Sequence, residues 1–424
     1  MTWLVPLALV LLTLLGMPLF AVIGAAALWA FHLAGVDLAV VLIEFYRIAE
    51  MPVLLAIPLF TLAGYLLSES GAPARLVALS QALLGWLPAG LALVALAASA
   101  FFTAFTGASG VTIVALGALL YPALRQDGYD ESYSLGLVTT SGSLGLLFAP
   151  SLPLILYAIV VQQLNIAPAV SVEALFRAGI LPGLLMLALL GGWSVWRERH
   201  RRPPLPFDAA RLRRALRAAL WELPLPLVVL GGIYSGCFAV SEAAAVTLAY
   251  VFVVEVLVLR EIPLRRLADI CERALVLVGG ILLILGLSLA STTALIDGGV
   301  PERLFTLVQS QVDSRLGFLL LLNLFLLLLG ALLDIFSALV LVVPLILPVA
   351  LGYGVDPVHL GIIFLANMQI GYLTPPVGMN LFIASYRFKR PVVALYRASW
   401  PFLLLLLLSL LLITYVPLLS LGLL

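Results

Sequence analysis

Charged residues are scarce in this chain: they make up 10% of its 424 residues, whereas 64% are hydrophobic and the mean hydropathy is +1.21. A soluble domain is usually about a quarter charged and about half apolar. The apolar excess is too large for a globular core to bury, which excludes a soluble protein. With a net charge of +1, no broad electrostatic field favours nucleic acid as a partner.

Groups that hold metals or nucleotides are also few. The two cysteines, Cys237 and Cys271, lie in separate apolar surroundings, where packing is the simplest interpretation. His32, His200 and His359 are scattered and have no metal-ligand spacing. No G-x-x-x-x-G-K-[ST] sequence occurs, so ATP is not expected to drive this chain alone. We expect neither a cofactor nor a transition metal.

Long apolar runs are what the chain does contain. Leu4–Ala34, Leu275–Ile296, Leu319–Leu333 and Phe402–Pro417 reach, alone or with their neighbours, the roughly 20 apolar residues of a transmembrane helix. They do not alternate at every second position, as barrel strands would, and only helices and closed barrels satisfy their backbone in a bilayer. The predicted fold class is an all-α polytopic membrane protein. The N-terminal run lacks a basic n-region and a clear cleavage site, so we expect a retained helix and not a removed signal.

The two halves of the chain resemble each other. "SGAPARL" (70–76) matches "GGVPERL" (298–304), and "GLLFAPSLPLILYA" (145–158) matches "GYLTPPVGMNLFIA" (371–384). The second match has an offset of 226 residues, and at the same offset a proline of "GALLYP" falls on a proline of "LILP". Internal repeats of this kind are typical of secondary transporters.

A basic segment divides the two repeats. Residues 197–222 carry eight arginines, and loops rich in Lys and Arg mark the cytoplasmic side of a membrane protein. We therefore predict a first repeat over 1–196, a cytoplasmic linker over 197–222 and a second repeat over 223–424. Following the spans away from the linker places Arg75 inside and its equivalent Arg303 outside, so the repeats are predicted to be inverted.

Inversion requires one segment of each repeat to enter and leave the membrane on the same side. Residues 91–124 have the small, polar sequence "TGASG" between apolar arms, and residues 316–351 have "LLDIFSA", so both are predicted to be re-entrant helical hairpins. Residues 133–164 and 360–386 contain "APSLP" and "TPP", where proline removes backbone donors and breaks the helix. Freed carbonyls in a membrane must face protein, water or an ion. These breaks predict sodium sites, and kinks that serve only packing are the alternative.

Asp334 is the only acid in the apolar run of the second hairpin. A charge at membrane depth costs at least about 2.5 kcal/mol, so such residues are usually functional or held by partners. We interpret Asp334 as a site residue, with a structural role as the alternative. Glu44, Arg47 and Glu50 fall in a segment that resembles an amphipathic helix lying along the membrane surface.

Five motifs, taken together, resemble one known family along essentially the whole chain. They are "IPLFTLAGYLLSESG" (57–71), "AFFTAFTGASG" (100–110), "GSLGLLFAPSLPLILYA" (142–158), "GALLDIFSALVLVVPLILPV" (330–349) and "GYLTPPVGMNLFIAS" (371–385). They look like the large membrane subunit of TRAP transporters, the DctM-like permeases. The resemblance implies a sodium-driven importer of an organic acid, such as a dicarboxylate or a sialic acid, that works by an elevator mechanism in the bacterial cytoplasmic (inner) membrane and is not an enzyme.

The resemblance also implies partners. These are a small membrane subunit of the DctQ or SiaQ kind, an extracytoplasmic solute-binding protein of the DctP or SiaP kind, and the membrane lipids. A stand-alone ion-coupled carboxylate carrier of similar elevator design is the alternative function. An intramembrane enzyme is disfavoured, because the chain has no H-E-x-x-H and no cluster of catalytic residues.

Positions matching the family's motifs imply two sodium sites and one substrate site. The first sodium site would comprise Ala108, Ser109, Gly145, Phe148 and Pro150, and the second Gly330, Asp334, Gly371, Thr374 and Pro376. The substrate would lie between the hairpin tips, near Ser109, Ser151, Asp334, Ser337 and Asn380. Helix N-termini at the tips and breaks would then meet the negative charge of the substrate.

Overall fold

The computed structural model describes residues 4–47, 51–164, 169–198 and 208–424, so Glu50, His200 and part of the basic linker lie outside the described residues. All regular structure within these ranges is helical. The helices are α1 (Leu4–Leu14), α2 (Leu19–Ala34), α3 (Ala39–Arg47), α4 (Ala56–Glu69), α5 (Ala72–Leu84), α6 (Gly90–Thr106), α7 (Ser109–Gln126), α8 (Glu131–Ser141), α9 (Leu152–Gln163), α10 (Val172–Glu198), α11 (Ala209–Ala218), α12 (Pro224–Tyr234), α13 (Val240–Val251), α14 (Leu264–Asp297), α15 (Val300–Gln309), α16 (Arg315–Leu332), α17 (Ile335–Gly352), α18 (Pro357–Gly371), α19 (Met379–Phe388), α20 (Val392–Tyr415) and α21 (Leu418–Leu421).

Seven helical segments of the described chain are long and apolar enough to cross a bilayer. Five of them are α10, α14, α16, α17 and α20; the other two are α4 with the short 3-10 turn before it and α13 with the π-helical turn after it. Helices α8 and α9 together form an eighth candidate, bent by 41° at a break. Large apolar side chains stay exposed on these helices, which suits a surface that faces lipid. The prediction of an all-α polytopic membrane protein is confirmed.

The N-terminal apolar run forms two helices, where the sequence predicts a single one. Gly16 has a φ of +90°, which ends α1, and Pro18 precedes α2. Glycine tolerates the left-handed backbone that other residues avoid, and proline cannot donate the hydrogen bond that would continue a helix.

Helix boundaries in the two halves coincide at the repeat offset. Helices α7 and α17 start at Ser109 and Ile335 and end at Gln126 and Gly352, so both ends are 226 residues apart. Helices α8 and α18 also start 226 residues apart. We call α6 and α7 hairpin 1, α16 and α17 hairpin 2, residues 142–151 break 1, and residues 371–378, from the last residue of α18 onwards, break 2. Each half thus contains a hairpin followed by a broken helix.

Charged side chains hold one end of the bundle together. The Arg75 guanidinium of α5 lies 2.5 Å from Glu222 Oε1 and 3.3 Å from Glu255 Oε1, and it also contacts Glu261. Glu222 and Glu255 are buried. This Arg75 cluster therefore joins α5, the end of the basic linker and the turn after α13.

Helix α14 connects this end to the opposite one. In the first third of α14, Arg273 pairs with Glu69 of α4 at 2.9 Å. Arg211 of α11 donates a 2.7 Å hydrogen bond to Gln81 of α5, the helix that carries Arg75. We call the end of the bundle that holds the Arg75 cluster the linker end. With 34 residues and about 1.5 Å of rise per residue, α14 is about 50 Å long. Asp297 consequently lies at the opposite, far end.

Candidate functional site

The tip of hairpin 1 is a sharp turn at Gly107 and Ala108. Gly107 has a φ of +64°, and a Cβ atom there would lie 2.6 Å from Leu152 Cδ1, so only glycine fits. Ser109 begins α7, and its hydroxyl donates a 2.7 Å hydrogen bond to Asn380 Oδ1. The Thr106 hydroxyl is buried and has no hydrogen-bond partner among the described residues.

The tip of hairpin 2 is organised by Asp334. Its Oδ1 accepts hydrogen bonds of 3.0 Å from the backbone N–H groups of Phe336 and Ser337, and its Oδ2 accepts one from the Ser337 hydroxyl. Asp334 thus caps the N-terminus of α17, an interaction that carboxylates make readily. Asp334 therefore has a structural role, which was the alternative to its interpretation as a site residue. The cap also fixes the Asp334 carboxylate at the tip of hairpin 2.

Both helix breaks pack against the hairpin of their own half at equivalent places. A Cβ atom on Gly371 would lie 2.5 Å from Gly330 Cα, and one on Gly145 would lie 2.5 Å from the Ala104 backbone nitrogen. Ala104 and Gly330 are equivalent at the offset of 226. Each break therefore approaches the last turn of the first hairpin helix at backbone distance. The peptide bonds before Pro150 and Pro376 are both cis.

Hydrogen bonds tie break 2 to both tips. The Gly378 N–H donates to the Ala331 carbonyl at 3.2 Å, and the Ile335 N–H donates to the Tyr372 hydroxyl at 2.7 Å. Asn380, just after the break, accepts from Ser109 through Oδ1, while its Nδ2 is buried without a partner in the described part of the chain. This amide is a donor available to an anionic oxygen.

The two breaks are also linked directly. The Ser143 hydroxyl of break 1 donates to the Gln369 carbonyl, 3.4 Å away, just before break 2. With the contacts above, both tips and both breaks meet in one region. That region brings together three predicted pairs of site residues: Ser109 with Asn380, Asp334 with Ser337, and Gly330 with Gly371.

Other predicted site residues make local contacts. Ser151 Oγ donates to the Leu146 carbonyl at 2.6 Å, and Thr374 Oγ1 donates to the Ile370 carbonyl at 3.0 Å. The ring of Phe148 packs on α10, and Pro150 is buried in break 1. Pro376 is exposed, and its carbonyl accepts a 2.7 Å hydrogen bond from the Tyr396 hydroxyl. The assignment of these residues, with Ala108, to sodium or substrate stays a prediction.

Three polar residues of this region were not among those predicted: Thr103, Thr106 and Tyr372. Thr103 Oγ1 donates to the Gly142 carbonyl at 2.9 Å and lies 2.7 Å from Thr112 Oγ1, which connects both arms of hairpin 1 to break 1. The sequence could have indicated Thr103 and Thr106, because a spacing of i, i+3 places both on one helix face beside the tip. Tyr372 stands within the "GYLTPP" break itself.

The oxygens at this region come from hydroxyl, amide and backbone groups. No group of three or more His, Cys, Asp or Glu side chains able to hold a metal ion occurs in the residues that the structure covers. Hard oxygen ligands of this kind suit alkali and alkaline-earth cations better than transition metals.

A multi-pass helical bundle in which two hairpin tips meet two helix breaks has the architecture of a membrane transport protein. The family comparison agrees with this class. Residues 7–419 match the family described as "Tripartite ATP-independent periplasmic transporter, DctM component". The chain therefore belongs to this family, as the large membrane subunit of a TRAP transporter.

Several curated relatives share this assignment. The chain is 33% identical to the C4-dicarboxylate TRAP transporter large permease protein DctM of Rhodobacter capsulatus, over 98% of this chain and 97% of that protein. It is 33% identical to the isethionate TRAP transporter permease protein DctMQ of Oleidesulfovibrio alaskensis, over 96% of this chain and 64% of that protein. It is 30% identical to the sialic acid TRAP transporter permease protein SiaT of Haemophilus influenzae, over 88% of this chain and 59% of that protein.

A solved structure has a similar fold. The crystal structure of the Alcanivorax borkumensis YdaH transporter aligns with a TM-score of 0.60 and 15% identity, covering 88% of this chain and 86% of that chain. At this identity the similarity concerns the fold alone. The family and the fold together establish a permease subunit of a multi-pass membrane transporter, from a family of transporters and not of enzymes.

Proposed function

We propose that the chain is the large permease subunit of a sodium-coupled secondary transporter that imports an organic acid across the bacterial inner membrane. The solute class we propose is a C4-dicarboxylate or a sialic acid-like compound, as for the relatives from Rhodobacter capsulatus and Haemophilus influenzae. The observation that carries the proposal is the meeting of two hairpin tips with two helix breaks, at equivalent positions of the two halves.

The chemistry of this region suits an anion and a cation together. Helix α7 begins at the tip of hairpin 1, and a helix N-terminus favours a carboxylate. The first N–H groups of α17 are already bonded to Asp334 and Tyr372, so α7 is the helix that would meet the anion. The buried Nδ2 of Asn380 adds a donor. Asp334, held at the tip by its own cap, puts a negative charge beside the predicted second sodium site near Gly330 and Gly371. Sodium bound there would strengthen anion binding, and such coupling is reciprocal.

Two partners belong to the proposal: a small membrane subunit and an extracytoplasmic solute-binding protein. The family is described as tripartite. One relative, named DctMQ, is longer than this chain, which covers 64% of it. A chain of that kind is consistent with the small subunit being fused to the large one in that relative.

We further propose an inverted, elevator-type arrangement. The linker end, with the arginines of residues 197–222, would be cytoplasmic by the positive-inside rule, and the far end would face outward. Hairpins 1 and 2 with the broken helices would move as one unit against a scaffold formed by α2–α4 and α12–α14.

Reconstitution tests the proposal. Proteoliposomes containing this chain and its small subunit would receive the binding protein and labelled succinate or N-acetylneuraminate. We expect uptake of one of these acids that requires an inward sodium gradient and the binding protein. Uptake at the same rate without a sodium gradient would contradict the coupling. Sodium-driven uptake without the binding protein would favour the stand-alone carrier instead.

A further inference from the structure

A polar cavity of about 210 Å³ opens at the far end, outside the region where the tips and breaks meet. Four helices contribute to it: α3, α9, α14 and α17. Besides Ser288, the residues in its wall with groups that can form hydrogen bonds or ion pairs are Glu44, Arg47, Gln163, Thr292, Thr293 and Asp297. It therefore lies where the proposed scaffold meets the proposed moving unit.

The floor of the cavity is close to hairpin 2. Val340 and Pro344 of α17 line it, and the Ser288 hydroxyl of α14 donates a 2.8 Å hydrogen bond to the Val340 carbonyl. Val340 follows Ser337 by three residues, so the two lie about one turn apart along the same side of α17. The cavity is thus positioned between the far end and the predicted substrate site.

Arg47 is the arginine of this cavity. Its Nη1 lies 3.0 Å from Glu44 Oε2, in an i, i+3 pair on α3, and its side chain is 51% exposed. The Glu44 side chain is 12% exposed and takes only Nη1 of Arg47. A guanidinium has five N–H donors in a fork that matches a carboxylate, so the half-exposed Arg47 can bind a carboxylate arriving from solution beside Glu44.

We propose that this cavity is a first binding site for the transported acid, in which Arg47 holds a carboxylate of the solute before it reaches the tips. This proposal rests on the function proposed above. Thr292, Thr293 and Gln163 would hydrogen-bond the rest of the solute. Cavities for drug-sized ligands measure about 300–1,000 Å³, so a cavity of about 210 Å³ favours a small acid such as a C4-dicarboxylate over a sialic acid.

The site can be tested by protection of a cysteine. The two native cysteines, Cys237 and Cys271, would be replaced by serine, and Thr292→Cys would place a thiol in the cavity. The rate of its reaction with a maleimide would be measured in proteoliposomes with sodium, while succinate or N-acetylneuraminate is added. Ser310→Cys, an exposed position at the end of α15 outside the cavity, is the matched control.

We expect succinate to slow labelling at position 292 and not at position 310. Arg47→Ala should weaken the protection at least about tenfold, as for loss of a charge-assisted hydrogen bond, and Arg47→Lys should weaken it less. Glu44→Gln should strengthen it, because the competing carboxylate is gone. Arg303→Ala, six residues past Asp297 and outside the cavity, should leave it unchanged.

The outcomes separate this proposal from the proposed function. If the wild-type complex takes up succinate with sodium but succinate does not protect position 292, the cavity proposal is wrong and the function stands. Protection that Arg47→Ala leaves intact, in a variant with wild-type thermal stability, also overturns it. Protection by succinate in a protein that shows no sodium-driven uptake of it would support the site and count against the function.

Discussion

At the scale of single residues, the hydrogen bond from Ser109 to Asn380 connects hairpin 1 to break 2 across 2.7 Å between buried groups. Ser109→Ala would leave the Asn380 carbonyl unpaired, which costs about 1–3 kcal/mol for a buried group. We expect sodium-driven uptake to fall at least about tenfold, since the tip then loses its position relative to the break. Initial uptake rates in proteoliposomes measure this.

Ser409→Ala is the control for that variant. Ser409 is also buried, but its hydroxyl donates within its own helix, to the Leu406 carbonyl at 2.7 Å. Its removal should leave uptake close to wild type, and Ser109→Thr, which keeps the hydroxyl, should retain more activity than Ser109→Ala. Equal effects of the two alanine variants would mean that the Ser109 contact serves packing only.

Asp334 combines a capping role with a charge at the tip of hairpin 2, and substitution by asparagine separates the two. Asparagine caps helices about as well as aspartate, so Asp334→Asn should leave thermal stability nearly unchanged. We expect sodium-driven uptake to fall by about two orders of magnitude, because a cation beside the cap loses its countercharge. Uptake and the sodium concentration for half-maximal rate are the measurements.

The matched control is Asp356→Asn. Asp356 caps α18 with the same geometry, accepting from the Val358 and His359 N–H groups at 2.8 and 3.2 Å. It lies at the start of its helix, away from break 2, so its charge should not matter for transport. A wild-type rate for Asp334→Asn would show that the acid is structural alone.

At the scale of elements, the contact of each break with its hairpin depends on glycine. A Cβ on Gly371 would clash with backbone atoms of Gly330, and neither backbone can move away as a side chain can. Gly371→Ala should destabilise the protein by about 1–3 kcal/mol, as overpacking does, and should abolish uptake. Gly145→Ala should do the same in the first half.

Gly279→Ala is the control for these substitutions. Gly279 lies within α14, and nothing stands within 4 Å of a Cβ added there. Alanine favours a helix over glycine by about 1 kcal/mol, so this variant should be as stable as wild type or more so. A thermal melt of each purified variant makes the comparison, and an unchanged melt for Gly371→Ala would contradict the close approach.

The positions of the hairpins and breaks could be predicted from the sequence because their causes are local. The first hairpin is predicted at 91–124 and the helices run from Gly90 to Gln126; the second is predicted at 316–351 and they run from Arg315 to Gly352. Glycine and proline end helices through their own backbone geometry, with no help from distant residues. Such boundaries are therefore legible in a single sequence.

Contacts between elements could not be predicted in this way. Ser109 and Asn380 are 271 residues apart, and neither of their motifs indicates that the two side chains are in contact. That Asp334 caps α17 could be predicted, because an aspartate directly before a helix commonly accepts hydrogen bonds from the first N–H groups. Whether its charge also serves a cation depends on the residues that pack beside it, and these come from other segments. The three acids around Arg75 come from separate segments, and only the packing of α13 on α4 and of α11 on α5 brings them together.

At the scale of the whole molecule, the Arg75 cluster joins the two halves at the linker end. Arg75→Gln would leave Glu222 and Glu255 buried without their cation, and breaking a buried pair in this way costs about 3–5 kcal/mol. We expect a lower melting temperature at neutral pH. Arg303→Gln, at the equivalent position of the second half, is exposed and should melt as wild type does.

The cluster also predicts how stability depends on pH. Burial raises the pKa of Glu261, but hydrogen bonds from Arg75 and the Gly71 N–H outweigh this and hold the pKa below its ordinary value. A carboxyl with a lowered folded pKa stabilises the protein above its unfolded pKa, and that contribution is lost as pH falls through the folded value. The difference in melting temperature between wild type and Arg75→Gln should therefore shrink on acidification. A constant difference from neutral to acid pH would contradict this role of Glu261.

The proposed mechanism requires the hairpins to move against the scaffold. The contact of Ser288 in α14 with Val340 in α17 lies on the boundary between the two. In a cysteine-free background, Ser288→Cys with Val340→Cys would place two thiols that mercury(II) can bridge. If α17 slides along α14 during each cycle, bridging should stop uptake, and excess dithiothreitol should restore it.

Gly24→Cys with Leu287→Cys is the control, since a Cβ on Gly24 would lie 3.2 Å from Leu287 Cδ1, within the scaffold pair α2 and α14. Bridging that pair should leave uptake intact because both helices stay together. Undiminished uptake with the first pair bridged would place α17 in the scaffold and rule out the elevator division proposed here.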